Sequence, residues 1–132
     1  MVANSVKSVE QTVLTAPGNP DVLVAYARVL TTDGQYGRAL AIMDEAYRLN
    51  PKPPPHYALN EAWIQFYLGN YTKAVEIANL VKKQVPNSHF ASWVLAPALA
   101  LLGKSAEAKA ELELLVERIP NLSLAAGLDP PV

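Results

Sequence analysis

The chain has 132 residues, of which 51% are hydrophobic and 17% charged, and its formal net charge at pH 7 is −1. This length suffices for one domain, and the near-neutral charge argues against a nucleic-acid-binding surface, which normally needs a basic face. The absence of cysteine excludes disulfides and thiolate metal sites. No apolar run is long enough to span a membrane, and the first residues lack the apolar core of a secretory signal. We therefore expect a cytoplasmic protein.

The first predicted element is a helix over residues 3–15. Val6, Val9 and Val13 recur at helical spacing and give this segment one apolar stripe. Pro17, just beyond it, is in phase with three later prolines. We therefore interpret residues 3–15 as the second helix of a degenerate preceding repeat.

A repeat of about 34 residues follows. Gly34, Gly69 and Gly103 each lie 17 residues before a proline, and the prolines themselves are spaced by 34, 35 and 34 residues: Pro17, Pro51, Pro86 and Pro120. Such a period is the signature of stacked helical hairpins. We divide the chain into three repeats within a single domain, followed by a short cap and tail. The ranges are 20–52, 55–87, 89–121 and 122–132.

Local signals place two helices in each repeat. In the first, residues 21–33 and 37–49 form the helices, with Asn19 as the N-cap and a glycine at the turn between them. Ser88 and Ser105 are reasonable N-caps for later helices. The residues 51–55 form a stiff, polyproline-like link that carries the one extra residue of the repeat and should set the angle between the first two hairpins. These signals predict about seven helices, or eight with the terminal piece.

This pattern resembles the tetratricopeptide repeat, with a small residue in the first helix, glycine at the turn, alanine early in the second helix and proline at its end. The matching residues are Ala27, Gly34, Tyr36, Ala39, Ala46 and Pro51 in the first repeat; Ala62, Gly69, Tyr71, Ala74 and Pro86 in the second; and Leu95, Ala96, Gly103, Ala108, Leu115 and Pro120 in the third. The resemblance implies an all-α fold, a right-handed superhelical stack of antiparallel helix pairs. Glu61, Gln65, Pro97 and Ser105 depart from the family pattern.

A second resemblance concerns residues 51–76 and 99–126, which look like the C-terminal repeat module of some bacterial class III adenylate cyclases. In those proteins the repeats are attached to a catalytic or DNA-binding domain. This resemblance implies that the chain is the sensory or regulatory part of a larger signalling protein, or a stand-alone relative of it.

The tetratricopeptide resemblance also implies a concave groove lined by the first helix of each repeat. The positions of this sequence that match it and could hold a partner are Arg28, Asn60, Trp63, Phe66, Tyr67, Phe90 and Trp93. The aromatic members would form an apolar binding strip, and the Arg28 and Asn60 side chains could hold a carboxylate or a backbone group of the partner. Alternatively, one or both tryptophans are core residues between neighbouring repeats.

The function that these features predict is a non-catalytic protein-interaction module that binds a peptide or a helical segment. No nucleophile, cofactor motif or paired carboxylate is evident, and His56 and His89 lack neighbouring metal ligands. We therefore expect no enzymatic activity, cofactor or metal. The alternative is a homo-oligomerisation element that associates through exposed apolar ends, with the valine stripe of residues 3–15 at one end and Leu122 and Leu124 at the other.

Overall fold

The computed structural model describes residues 2–86 and 89–118, with the side chains of the first helix described from Val6 onward. Within these ranges the chain forms seven α-helices and no strand, which confirms the predicted all-α helical repeat. The helices are α1 (Val2–Thr15), α2 (Pro20–Thr32), α3 (Tyr36–Leu49), α4 (Pro55–Tyr67), α5 (Tyr71–Gln84), α6 (Phe90–Leu101) and α7 (Ser105–Arg118).

Successive helices pack as hairpins. α2 packs on α3, α4 on α5 and α6 on α7, while α1 packs on α2 and α5 on α6. The first helices of the hairpins also contact one another, α2 with α4 and α4 with α6. The row α2–α4–α6 therefore forms one side of the stack, and α3, α5 and α7 lie behind it.

The predicted helix limits need small corrections. α2 and α3 each begin one residue earlier than expected, at Pro20 and Tyr36. Ser105 is the first residue of α7 and so does not precede the helix as an N-cap. The predicted Ser88 cap, the last residues of the third repeat and the cap and tail over 122–132 lie outside the described residues.

The glycine turns have a common local cause. Gly34, Gly69 and Gly103 have φ angles of 82°, 86° and 79°, a left-handed conformation that glycine adopts at little steric cost. At the first turn the Gly34 N–H donates to Thr31 O (3.1 Å), and the Gln35 N–H donates to Leu30 O (2.9 Å). The other two turns repeat both bonds. This pairing satisfies the last carbonyls of each helix and reverses the chain.

The N-cap prediction at Asn19 is confirmed. Its Oδ1 accepts hydrogen bonds from the N–H groups of Asp21 (3.0 Å) and Val22 (3.4 Å). These N–H groups have no partner within the helix, so the cap stabilises the start of α2. Pro20 occupies the first helical position, where a missing N–H costs nothing.

Buried side chains form two core clusters. The first core contains large residues from α2, α3 and α4, and the valine stripe of α1 packs against it: Val6 is buried, and Val9 and Val13 are partly buried. The second core lies among α4, α5, α6 and α7 and consists mainly of alanines with a few larger aliphatic residues. Its members are Ala62, Ala74, Ala78, Val81, Ala91, Val94, Leu95, Leu99 and Ala108.

The polar departures in α4 are satisfied within the stack. Gln65 is buried, and its Oε1 accepts a hydrogen bond from Asn70 Nδ2 (2.8 Å). Glu61 accepts one from the hydroxyl of Tyr47 in α3 (3.0 Å). Burying a polar group is tolerated when it is paired in this way. α6 continues through Pro97 despite the N–H that this residue lacks.

A bilayer requires an apolar helix of about 20 residues. Over residues 2–86 and 89–118, no helix has both the length and the apolar character needed to cross one.

Candidate partner-binding groove

The row α2–α4–α6 encloses an open cavity of about 550 Å³. It brings together six of the seven residues predicted from the sequence and adds four neighbours on the same helices. Its lining residues are Arg28, Thr31, Thr32, His56, Leu59, Asn60, Trp63, Tyr67, Phe90 and Trp93. We call this the first cavity.

Phe66 is the predicted residue that does not line the first cavity. It is partly buried and packs against the second core. Its ring lies 5.4 Å from that of Tyr71, the first residue of α5, and meets Tyr67 edge to face at 5.5 Å. Phe66 therefore supports the groove from behind, because its side chain is directed towards the α4–α5 turn.

The two tryptophans differ in their surroundings. Trp93 is 37% exposed and lines the cavity. Trp63 also lines it, but is partly buried and packs against the second core. Its indole stacks on Tyr67 at 5.9 Å and contacts Phe66 edge to face at 5.6 Å. The alternatives of groove and core thus both apply to Trp63, whereas Trp93 belongs to the groove.

Ring contacts fix the position of the aromatic strip. Tyr67 lies between Trp63 and Tyr36, the first residue of α3, and stacks on the Tyr36 ring at 5.5 Å with an interplanar angle of 7°. Aromatic pairs of this kind contribute beyond their buried area. Tyr67 and Phe90 are nevertheless 50% and 59% exposed. The groove therefore offers rigidly held rings with free faces or edges.

The α2 end of the first cavity is polar. The hydroxyls of Thr31 and Thr32 donate to the carbonyls of Ala27 (2.7 Å) and Arg28 (3.2 Å) in their own helix. The guanidinium of Arg28 has no hydrogen bond or ion pair with the described residues. The Nδ2 of Asn60 is buried and likewise lacks a described partner. Two strong donors at this end are therefore available to a ligand.

A second cavity, of about 450 Å³, lies beyond the tryptophans between α6 and α7. Its lining is almost entirely aliphatic apart from the two indoles and one lysine. The residues are Trp63, Trp93, Ala96, Pro97, Ala100, Ala108, Lys109, Leu112 and Leu115. Since Trp63 and Trp93 line both cavities, we treat them as two parts of one groove, polar at α2 and apolar at α6–α7.

Sequence reasoning missed the α7 side of this groove. The family pattern assigns groove positions to the first helix of each repeat, so Leu112 and Leu115 were not candidates. Their exposure to a cavity depends on α7 being the last described helix, with no further described hairpin packed against it. The apolar spacing of α7, read together with its place at the end of the repeats, was the available signal.

The groove has the chemistry of a binding surface. Within the described part of the chain, no group of three or more His, Cys, Asp or Glu side chains could hold a metal ion. No carboxylate is found among the described residues that line either cavity. What the lining offers is aromatic and aliphatic area together with hydrogen-bond donors.

Comparisons with known proteins agree with this architecture at the level of the fold. No family model matches the chain, and no curated protein matches it. A solved structure described as MamA RS-1 ArsTM double mutant is similar to it, with a TM-score of 0.72 at 16% sequence identity. The match covers 91% of this chain and 67% of that chain. MamA is TPR-like, so the likeness supports a TPR-like helical-repeat fold. None of these findings supports the resemblance to the cyclase module.

Proposed function

We propose that this protein is a non-catalytic protein-interaction module that captures a peptide or helical segment in its aromatic groove. The observation that carries the proposal is the convergence of three helices on one cavity lined by Trp63, Tyr67, Phe90 and Trp93. The whole chain, with its three repeats and preceding half-repeat, would act as one module.

Exposure of the rings supports this proposal. An isolated globular protein gains from burying large aromatic side chains, yet Tyr67, Phe90 and Trp93 remain between one third and two thirds exposed on the same surface. Contiguous apolar surface of this kind usually marks an interaction site. Trp and Tyr are also enriched among the residues that dominate binding energy at protein interfaces.

The fold is compatible with this role. Stacked helical repeats create extended concave surfaces, and proteins built from them use these surfaces for binding. The likeness to MamA concerns the fold, so the choice of partner depends on this chain's own groove residues.

The proposal is tested by selecting binders for the full chain from a phage-displayed peptide library and measuring their affinity by titration calorimetry. Trp93→Ala and Phe90→Ala should each weaken binding at least about ten-fold, because both remove groove area of the hot-spot type. Leu80→Ala is the matched control, since Leu80 is 60% exposed on α5 and lines neither cavity.

Circular dichroism should show the same helicity for all three variants. Selected peptides that bind the Trp93→Ala and Phe90→Ala variants as tightly as the parent protein would contradict the proposed groove. Trp63 is a poorer position for this test, because its contact with the second core couples its loss to stability.

The homo-oligomer alternative loses one of its two supports. The apolar stripe of Val6, Val9 and Val13 packs against the first core and is not a free surface. Leu122 and Leu124 lie outside the described residues. Light scattering across a concentration series tests this alternative directly, and a strictly monomeric protein would contradict it.

A further inference from the structure

The charge of the groove differs in sign from that of the whole chain. The sequence carries 12 acidic and 11 basic residues. The described residues lining the two cavities nevertheless include Arg28 and Lys109 and no carboxylate. Arg28 belongs to α2 and Lys109 to α7, so cations lie towards both ends of the groove with the indoles between them.

Other arginines and lysines of the described chain are paired. Arg38 forms an ion pair with Glu10, Arg48 with Glu45, and Lys82 with Glu111. Arg28 has no such partner among the described residues, although its guanidinium lines the first cavity. The planar donor fork of a guanidinium matches a carboxylate and can bind it through two hydrogen bonds.

Asn60 supplies a second donor in the same cavity. Its Nδ2 is buried without a described hydrogen-bond partner. An unsatisfied buried donor costs about 1–3 kcal/mol, and an acceptor from a bound ligand would remove that cost. An oxygen atom of the ligand is therefore the chemical group that this cavity lacks.

We infer that the partner is an acidic peptide segment with apolar side chains. One carboxylate binds at Arg28 and Asn60, and the apolar side chains lie between Trp63 and Trp93 and extend into the α6–α7 cavity. This inference rests on the proposed function and adds the chemistry of the partner and its direction across the helices. Basic segments are disfavoured because they meet like charges at Arg28 and Lys109.

A wholly apolar segment fits less well. It would cover Arg28 and Asn60 without supplying an acceptor, and burying unpaired polar groups opposes binding. The acidic segment satisfies these donors and also uses the aromatic strip. Charge complementarity therefore selects it over the uncharged alternative.

The test uses the full-length chain and the same random peptide library. Peptides whose binding requires Trp93 should be enriched in Asp or Glu beside Leu, Phe or Trp. For such a peptide, Arg28→Glu should weaken binding at least about ten-fold, and replacing the critical acidic residue of the peptide by Lys should restore binding to this variant. Arg48→Glu is the matched control and should bind like the parent protein, because Arg48 pairs within α3 and lines neither cavity.

Salt provides an independent measurement. Affinity for the acidic peptide should fall between about 50 and 500 mM NaCl, because added ions screen the contact, and Arg28→Gln should flatten this dependence. Trp93-dependent peptides that are neutral or basic, or that ignore Arg28→Glu, would overturn the acidic partner and leave the proposed function standing. A library that yields no Trp93-dependent binder would overturn both.

Discussion

The two junctions between successive hairpins are built from different interactions. At the first junction, α3 contacts α4 less extensively than α5 contacts α6 at the second. Tyrosine hydroxyls compensate at the first junction: Tyr47 donates to Glu61 (3.0 Å), and Tyr57 of α4 donates to Asp21 of α2 (2.6 Å). The first junction is thus held at specific polar points as well as by apolar area.

The second junction depends on close packing of small residues. Ala78 of α5 and Ala91 of α6 are fully buried in the second core. One polar cluster reinforces it, in which Glu111 of α7 accepts hydrogen bonds from Lys82 (2.5 Å) and Ser92 (2.7 Å). Small side chains let helices approach closely, so steric fit matters more here than at the first junction.

The difference shows that one hairpin pattern can stack in two ways. The proline link before α4 carries the extra residue of the repeat, and the helices that it joins have the smaller contact. Helix α4 belongs to both junctions and also supplies Trp63 and Tyr67 to the groove. The geometry of the groove therefore depends on both kinds of packing.

The largest effect is expected from overfilling the second junction. Ala78→Leu inserts three carbon atoms where the side chain is fully buried, which should lower the free energy of unfolding by about 1–3 kcal/mol. Urea denaturation measures this change. Ala110→Leu on the exposed surface of α7 is the control and should leave the denaturation midpoint nearly unchanged. Equal effects of the two substitutions would contradict close packing at Ala78.

A smaller effect is expected from Tyr57→Phe at the first junction. This change removes the hydroxyl that donates to Asp21 and accepts from Asn50 Nδ2. The loss should be about 1–2 kcal/mol, because hydrogen bonds to charged groups exceed neutral ones but the exposed Asp21 can rebind water. Chemical denaturation at pH 7 measures it, and an unchanged midpoint would show that the bond does not hold the junction.

The same hydroxyl predicts a dependence on alkaline pH. Burial, together with the hydrogen bond to Asp21, raises the pKa of Tyr57 above its ordinary value. A raised pKa in the folded state means that the stabilisation is complete below about pH 10, the pKa of an unfolded tyrosine, and is lost as pH rises through the folded-state pKa. The difference in unfolding free energy between parent and Tyr57→Phe should therefore shrink at about pH 11, and a constant difference would contradict this assignment.

The smallest effect is expected in the proline link. Pro54 is exposed, with φ −68° and ψ 160°, so Pro54→Ala removes little packing. It should lower stability by about 0.4–1 kcal/mol by increasing the conformational freedom of the unfolded chain. Thermal unfolding measures this change. A stabilised Pro54→Ala protein would indicate that the link strains the first junction.

The site was predictable to the extent that it follows the repeat. Arg28, Asn60, Trp63, Tyr67, Phe90 and Trp93 recur at equivalent positions of the first helices, so placing the helices side by side was enough to expect them on one surface. The side chain of Phe66 was not predictable in this way, since its direction depends on Tyr71 and the second core. The α7 contribution to the groove depends on which hairpin comes last.

The sequence by itself determined the helices and the turns between them, because glycine and proline act through the conformations of their own backbone and of one or two neighbours. The tertiary structure alone decided how the hairpins are joined and what the groove offers. The Tyr57–Asp21 bond links residues 36 positions apart, and the buried Gln65 is satisfied only because Asn70 reaches it across the turn. Such pairings depend on distances between helices, which no local spacing of residues specifies.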